Sequence, residues 1–337
     1  MARRAAEAYA FAGYDVVWVD SASTYAPRSA WSARVATVAD ATTVFTQPTA
    51  VFDRARPGSS IPLIVYRPAL FNKHGGVAAY RSAGELVDDV LGAVASWRHH
   101  PSRKVEHTGW TPAPVRAFSF ACRADMDAPT DPQCATRGEA TRWRKCACRR
   151  PKPLVRRRST LLSNPGVERR LAPLLALLET AHDDSLSTAA RARYVAAGRR
   201  LAPHGLTVGN SRFSTVGVML DFTQRYHIDR DDLRDSLCIA TYRLAAGCRG
   251  GELVFPEHGV ACMIRDGDVV LFQSQTLFHG VAPIVCGAVA SSPRRDAATD
   301  GAVAAEGHRC NAPPQRAAIL AFVTEDAAQA CIRCVGT

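Results

Sequence analysis

The last third of the sequence places the tightest limits on the fold. From residue 212 onward the chain becomes a series of short apolar or alternating runs that turn residues separate, a pattern that predicts β-strands. The runs are FSTVGVMLDF, LCIATYRL, GELVFP, VACMI, DVVLFQ and RAAILAFV. Between VACMI and DVVLFQ lies an Asp266-Gly267 pair, which predicts a hairpin turn. Many short strands of this kind predict a β-sandwich or a barrel.

Two helical patterns precede these strands. In VERRLAPLLALLETA, the side chains of Leu171, Leu174, Leu175 and Leu178 share one stripe, as in a helix that packs one face on a core. A second helical run, TAARARYVAAGRRLAP, ends at Pro203, since proline cannot continue a helix. Helices followed by a run of strands predict an α+β domain.

Composition divides the chain into three parts. Residues 1–120 mix short apolar runs, such as YDVVWVD and IPLIVY, with turn residues and one helical pattern over 83–97; we expect this N-terminal α/β region to pack on the core. Residues 121–165 are basic, rich in cysteine and without a period, which is typical of a loop. Residues 166–337 hold the helices and the strand-rich core, in which the Ala-, Ser- and Pro-rich segment 286–315 is expected to be an inserted loop.

The basic charge is concentrated in one segment. The chain has a net charge of +11, and ten of its Lys and Arg residues lie between Arg137 and Arg158 against a single acid, Glu139. Such a segment favours a polyanionic partner, because Lys and Arg neutralise phosphates, and an aromatic side chain within it can stack on a base. The alternative is a solvated loop or a nuclear-localisation tract. The predicted DNA-contacting residues are Arg142, Trp143, Arg144, Lys145, Arg149, Arg150, Arg156 and Arg157.

The sequence shows no membrane or secretion signal. No run approaches the roughly 20 apolar residues that span a bilayer, and the first residues lack the apolar stretch of a signal peptide. A disulfide framework is therefore not expected among the 11 cysteines. Two groups of cysteine and histidine are candidates for structural zinc, and free buried thiols are the alternative. The groups are Cys122, Cys134, Cys146 and Cys148, and His308, Cys310, Cys331 and Cys334.

The stretch QRYHIDRDD contains the first candidate metal ligands. His227 and Asp229 are two residues apart, so on a strand their side chains point to the same face. His279 follows an apolar run 52 residues later, and folded-back strands can bring it to the other two. Two imidazoles and one carboxylate cover one face of an octahedron and leave three positions open, which suits Fe(II). The alternative is a charged strand end together with a histidine buried in the core.

The order of several motifs resembles a known family. The chain shows H-x-D at His227, then G-G-E-L, D-G-D-V-V-L-F, F-H-G and R-x-x-x-L-x-F. This order, over residues 210–325, resembles the Fe(II)-dependent dioxygenases with a double-stranded β-helix, or jelly-roll and cupin-like, core. The stretch FSTVGVMLDFTQRYHIDRDD is similar to the TET/JBP group, which oxidises methylated bases in nucleic acid. Within that group it resembles a green-algal branch that modifies 5-methylcytosine with vitamin C in place of 2-oxoglutarate.

The resemblance implies roles for five residues. His227, Asp229 and His279 match the iron ligands of the family. Asp232 is implied to hydrogen-bond the polar co-substrate beside the metal, and Arg316 stands where the superfamily keeps a basic residue for the distal carboxylate of 2-oxoglutarate. The implied reaction consumes O2 and L-ascorbate and transfers a glyceryl group to the 5-methyl group of 5-methylcytosine in double-stranded DNA. Glyoxylate and CO2 are the implied by-products.

Two alternatives to this activity remain open at the level of sequence. One is 2-oxoglutarate-dependent oxidation of 5-methylcytosine, or hydroxylation of another substrate; the other is a DNA-binding relative without catalysis. A base within a duplex has to be flipped out to be modified, and we expect Phe213, Asn210 or Tyr226 to hold it. We expect a nuclear protein, no membrane partner and no obligate protein partner. The chain is either a whole protein or a fragment of a longer one.

Overall fold

Secondary structure follows the predicted pattern over most of the strand-rich region. A computed structural model describes residues 2–20, 34–56, 59, 61–68, 116–126, 154–158, 165–186, 188–220, 223–234, 236–244, 246–286, 316–325 and 327–328. The helices are α1 (Ala2–Phe11), α2 (Pro165–Asp184) and α3 (Thr188–Leu201). The N-terminal strands are β1 (Asp15–Val19), β2 (Thr43–Phe45), β3 (Thr49–Asp53), β4 (Ile64–Arg67), β5 (Arg116–Met126) and β6 (Leu154–Arg158). The C-terminal strands are β7 (Thr215–Leu220), β8 (Gln224–His227), β9 (Cys238–Leu244), β10 (Cys248–Gly250), β11 (Leu253–Phe255), β12 (Val260–Cys262), β13 (Val269–Phe272), β14 (His279–Val281), β15 (Ile284–Cys286) and β16 (Arg316–Phe322).

The strands form two main sheets. The major sheet has the order β1-β3-β4-β13-β9-β16-β7-β5-β6, and the minor sheet has the order β2-β12-β11-β14-β8. Apart from the parallel pairs β1–β3 and β2–β12, the neighbouring strands in both sheets are antiparallel. Strands β10 and β15 make a separate two-stranded ribbon. Two facing sheets with helices on one side confirm the predicted α+β class with a jelly-roll core.

Alternation along the strands divides the interior into two cores. Successive side chains of a strand point to opposite faces. Accordingly, Ile239 of β9 packs with helix residues such as Leu174 and Tyr194, whereas Cys238 and Ala240 pack with residues of the minor sheet. The major sheet therefore has a helix-side core on one face and an inter-sheet core on the other.

The predicted stripe on α2 is confirmed. Leu171, Leu174, Leu175 and Leu178 are all buried in the helix-side core. Within the described part of the chain, no helix has the length and apolar character that crossing a membrane requires.

The N-terminal region is part of both sheets. Strands β3 and β4 extend the major sheet through β13, and β2 pairs with β12 in the minor sheet. Residues 34–44 also cover the outer face of the minor sheet, where Ala36 packs against Tyr226 and Phe278. The N-terminal residues that the structure describes thus complete the sandwich, and the helical pattern over 83–97 lies outside the described residues.

Three sequence expectations differ from the structure. Asp266 and Gly267 do not close a hairpin, because they join β12 of the minor sheet to β13 of the major sheet; the Asp266 carboxylate instead accepts a hydrogen bond from the Leu244 N–H. The predicted loop 121–165 contains strand residues at both ends, since β5 and β6 pair with each other. Cys248 is disulfide-bonded, although no disulfide framework was expected, while Cys238 and Cys262 are free and buried.

Candidate metal centre

Strand pairing brings the two candidate histidines together. Strands β8 and β14 are antiparallel neighbours, and His227 lies directly opposite His279. Side chains at opposite positions of an antiparallel pair share a face, and the two ring centroids are 4.3 Å apart. Asp229 lies two residues beyond the end of β8, and the ligand atoms of these three residues all lie within 4.8 Å of one another. The structure thus joins the three predicted ligand residues in one cluster.

Backbone carbonyls orient both imidazole rings. Nδ1 of His227 is 3.0 Å from the carbonyl oxygen of Arg225, and Nδ1 of His279 is 2.9 Å from that of Leu277. We assign the Nδ1 protons from these contacts, since a carbonyl can only accept. In each neutral ring the Nε2 lone pair then faces Asp229, whose Oδ1 and Oδ2 lie 3.3 Å from the Nε2 atoms of His227 and His279 respectively.

Burial and neighbouring charges shift the pKa values of the three residues in different directions. Burial raises the pKa of Asp229, but the two adjacent imidazoles, whose Nε2 atoms donate to the carboxylate when the rings are protonated, outweigh burial and hold that pKa well below its usual range. Burial also works to lower the pKa of His227, yet the hydrogen bond and charge of Asp229 raise it overall. For His279, burial and the charge of His227 prevail and lower the pKa. At neutral pH the cluster therefore offers an ionised carboxylate and at least one neutral imidazole.

The donor set fits a divalent metal ion. Two imidazole nitrogens and one carboxylate oxygen form the donor combination of non-haem Fe(II) sites, which leave positions open for other ligands. The ring of His279 is fixed by the edge of Phe272, whose centroid is 4.9 Å away. The His279 side chain is only 4% exposed, against 35% for Asp229. Exogenous ligands therefore reach the cluster from the Asp229 side.

A cavity of about 40 Å³ adjoins the cluster. This volume has room for a few water molecules, since one water needs at least about 10–15 Å³ by the same measure. Gln224 and the three candidate ligands form one polar part of the wall, and Tyr242 and Arg316 form another. Apolar residues complete the wall: Met219, Leu253, Phe272, Val281, Ala318 and Leu320.

Arg316 is a buried cation in this cavity. It is 2% exposed, and its guanidinium carbon lies 5.0 Å from the ring centroid of Tyr242. It also packs on Gly251, which has φ +74°; a Cβ there would lie 2.9 Å from Nε of Arg316. Despite the long segment before it, Arg316 enters β16 in register with Leu244 of β9. Its position suits a carboxylate or another oxygen-rich group in the cavity.

Asp232 lies near the cluster but does not line the cavity. Its backbone N–H donates to the carbonyl of Asp229, and its carboxylate accepts a hydrogen bond from the hydroxyl of Ser274. The side chain is buried. In this structure Asp232 secures the turn that carries Asp229, and its contact with a co-substrate stays a prediction.

None of the three candidates for holding a flipped base lines the cavity, and that role stays a prediction. Phe213 is buried in the helix-side core, and Asn210 is exposed in a turn. Tyr226 lies on the outer face of the minor sheet, where its hydroxyl donates to Asp40 and its ring stacks on Phe278. Proximity in sequence to His227 does not bring a side chain to the cavity, because alternate residues of a strand face opposite ways.

The predicted DNA-contacting and zinc-binding residues cannot be placed at the site. Arg156 and Arg157 belong to β6, at the edge of the major sheet, and Cys122 belongs to β5. The other members of those groups lie outside the described residues. Their DNA and zinc roles stay predictions.

Sequence reasoning missed two polar residues of the cavity, Gln224 and Tyr242. The alternation in LCIATYRL could have identified Tyr242, because Tyr242 shares a face with Cys238 and Ala240. The sequence could not have identified Gln224, because strict alternation from His227 would place Gln224 on the opposite face. Its position depends on an irregularity in β8 that has no signal in the sequence.

Comparisons with known proteins find similarity in structure only. No family model matches the chain, and no curated protein matches it. Among solved structures, NgTET1 in complex with 5mC DNA matches with a TM-score of 0.47 at 10% identity, over 94% of this chain and 84% of that one. OsALKBH1 matches with a TM-score of 0.34 at 12% identity, over 77% and 97%. A viral collagen prolyl hydroxylase from Paramecium Bursaria Chlorella virus-1, solved with 2OG, matches with a TM-score of 0.20 at 17% identity, over 32% and 57%.

Proposed function

We propose that this protein is an Fe(II)-dependent dioxygenase. The observation that carries the proposal is the convergence of His227, Asp229 and His279 at a cavity that Arg316 also lines. Fe(II) bound by the three side chains would supply a redox-active centre with open positions for O2 and an organic co-substrate. The carbonyl contacts of both histidines would keep each Nε2 aimed at a bound ion, and the apolar residues of the wall would limit the water around it.

The substrate we propose is 5-methylcytosine in double-stranded DNA, with L-ascorbate as the co-substrate. This proposal is supported by the resemblance of the segment around His227 to the vitamin-C-using branch of the TET/JBP group, and by the net charge of +11. Because the proposed substrate is DNA, we also propose that the protein acts in the nucleus. The cavity's hydrogen-bonding groups, Gln224, Tyr242 and Arg316, suit the hydroxyls and the lactone of ascorbate.

The proposed transfer balances in atoms and electrons. Ascorbate has six carbons, of which three enter the glyceryl group, two leave as glyoxylate and one leaves as CO2. A C–H bond of the methyl group and C–C bonds of ascorbate break, and one new C–C bond forms. O2 is the oxidant that accepts the electrons of the broken bonds, and its two oxygen atoms are accounted for in glyoxylate and CO2.

A second candidate is oxidation of 5-methylcytosine with 2-oxoglutarate as the co-substrate. The buried guanidinium of Arg316 favours it, because a planar cation binds a carboxylate in a bidentate manner, and ascorbate has no distal carboxylate. Succinate and CO2 would then replace glyoxylate and CO2, and the methyl group would gain a hydroxyl. Arg316 is buried at the cavity and is compatible with either co-substrate.

Product analysis tests both candidates. The purified chain would be incubated under air with Fe(II) and duplex DNA that contains 5-methylcytosine, with L-ascorbate in one arm and 2-oxoglutarate in the other. Mass spectrometry of the nucleosides should show a glyceryl adduct with ascorbate, together with glyoxylate. Hydroxymethylcytosine with succinate in the second arm would support the second candidate, and unchanged 5-methylcytosine in both arms would contradict both.

Asp229→Asn should reduce turnover by at least about 100-fold, because the charged carboxylate is one of the three metal ligands. Asp231→Asn is the matched control, because Asp231 lies two residues away and is exposed. Both variants remove one negative charge from the same segment. Equal activity in the two variants would show that Asp229 does not hold the metal.

A further inference from the structure

The strand that carries His227 has one extra residue. His279 pairs with His227 and Val281 pairs with Gln224, so two steps along β14 correspond to three steps along β8. A bulge of this kind redirects side chains that strict alternation would place on opposite faces. Gln224 and His227 consequently both line the cavity, while Tyr226 between them lies on the outer face of the minor sheet.

The bulge brings the Gln224 carboxamide against the metal-binding edge of His227. The Nε2 atoms of Gln224 and His227 are 2.6 Å apart. Because Nδ1 of His227 donates to the Arg225 carbonyl, its Nε2 carries the lone pair, and the amide N–H donates to it. This is the lone pair that a metal ion at the cluster would take. When a metal ion takes this lone pair, the amide N–H of Gln224 needs another acceptor, since an unsatisfied donor in the cavity is unfavourable.

We propose that Gln224 is a positioning residue for the co-substrate, whose oxygen beside His227 accepts the hydrogen bond of the Gln224 amide. The inference rests on the proposed function. Gln224 and Tyr242 are the two neutral hydrogen-bonding side chains that line the cavity; Gln224 contacts a candidate metal ligand, and Tyr242 contacts Arg316. Gln224 would therefore hydrogen-bond the end of a bound co-substrate beside His227, and Tyr242 the end beside Arg316. Both the ene-diol of ascorbate and the keto acid of 2-oxoglutarate offer the required acceptor oxygen.

Two binding constants separate this role from a role in holding the metal. The first is the Kd for Fe(II), measured by calorimetry without oxygen; the second is the Kd of the Fe(II)-loaded protein for L-ascorbate and for 2-oxoglutarate, measured by visible absorption. Gln224→Leu removes the amide at similar size, and Gln47→Leu, which makes the same change at an exposed position outside the cavity, is the matched control. For Gln224→Leu we expect Fe(II) affinity within about twofold of wild type and co-substrate affinity about tenfold weaker, the value of one good hydrogen bond. Gln47→Leu should bind Fe(II) and the co-substrate with wild-type affinity, since residue 47 does not line the cavity.

Each result has a distinct meaning. Wild-type co-substrate affinity in Gln224→Leu, with Fe(II) bound normally, overturns the role of Gln224 and leaves the proposed function intact. A large loss of Fe(II) affinity in that variant also overturns it, because the residue would then support the metal. If the wild-type protein binds neither Fe(II) nor a co-substrate, the proposed function itself fails. Gln224→Glu serves if the leucine variant does not fold: it replaces the donor with an acceptor, so the same loss of co-substrate affinity is expected, and unchanged affinity overturns the proposal.

Discussion

At the scale of single residues, backbone groups decide much of the geometry of the site. The carbonyls of Arg225 and Leu277 set the tautomers of the two histidines, and Gly251 provides the surface on which Arg316 lies. The two carbonyl contacts do not depend on which side chains stand at positions 225 and 277. Sequence motifs therefore reveal the ligand residues but not the groups that orient them.

The contact between Gly251 and Arg316 gives a prediction at this scale. We expect Gly251→Ala to weaken the binding of 2-oxoglutarate at least about tenfold, because the added methyl would lie 2.9 Å from Nε and 3.0 Å from Cδ of Arg316. The guanidinium would have to move to make room. Ascorbate affinity should change less, since ascorbate has no distal carboxylate. Calorimetry on the Fe(II)-loaded protein gives both affinities.

Gly247→Ala is the matched control for that substitution. Gly247 has φ +81°, close to the +74° of Gly251, but a Cβ at 247 would have nothing within 4 Å. Both variants should lose a similar amount of thermal stability from backbone strain. Identical 2-oxoglutarate affinities in the two variants would mean that the position of Arg316 is not important for binding.

At the scale of elements, strand alternation explains both the correct and the wrong expectations. His227 and Asp229 were expected side by side and do meet in the cluster, although Asp229 lies beyond the end of β8. The stripe of leucines on α2 was correctly expected to be buried. The bulge in β8 breaks the same rule and brings Gln224 into the cavity. A bulge depends on how the partner strand pairs. The alternation of residues along one strand therefore does not predict where a bulge lies.

The packing of the two long helices leads to a prediction about pH. His182 of α2 is fully buried between the rings of Tyr194 and Phe213, with centroids 4.1 and 5.8 Å away. Burial, with a further contribution from the charge of Arg212, lowers the pKa of His182 to about 3. In the unfolded chain a histidine has its ordinary pKa of about 6.5. Between these values the unfolded state binds a proton that the folded state does not bind.

The stability linked to His182 should therefore be complete above pH 6.5 and be lost as the pH falls from about 6.5 towards 3, by at most about 1.4 kcal/mol per pH unit. Thermal unfolding of wild type and His182→Leu across this range measures the effect, and the difference between their two pH profiles isolates one histidine from the carboxylates. We expect a shallower acid-side loss in the variant. Parallel profiles would show that His182 takes up its proton equally in both states.

At the scale of the whole molecule, the sandwich is assembled from segments that are far apart in sequence. The β2 strand near residue 44 pairs with β12 near residue 261, and β4 pairs with β13. The helices close one face of the major sheet, and the minor sheet closes the other. His227 and His279 lie on the minor sheet and Arg316 on the major sheet, so the cavity forms only when both sheets face each other.

The net charge of +11 gives a prediction for the intact protein. Affinity for duplex DNA should fall steeply with salt, and replacing Arg142, Arg144, Lys145 and Arg149 by serine should reduce the log–log slope by about 0.9 for each phosphate contact that is lost. The loss should be similar for methylated and unmethylated DNA, since phosphate contacts carry no sequence information. Fluorescence anisotropy at several salt concentrations gives the slope.

A control variant removes the same charge elsewhere. Arg3, Arg4, Arg199 and Arg200 are exposed on α1 and α3, and replacing all four by serine lowers the net charge equally. This control should retain a salt slope close to that of wild type. An equal loss in both variants would show that DNA binding follows total charge and not the segment between Arg137 and Arg158.

The sequence by itself determined the α+β class, the strand-rich core, the helix stripe and the three residues that meet at the candidate metal centre. Periodicity is a local property, and motif order needs only the order of segments along the chain. The tertiary structure alone decided the strand order, the entry of N-terminal strands into both sheets, the bulge at Gln224 and the contact of Arg316 with Gly251. These features depend on pairing between segments that are distant in sequence. The same strands could pair in several other registers without any local conflict. Only the simultaneous packing of both cores selects one of them.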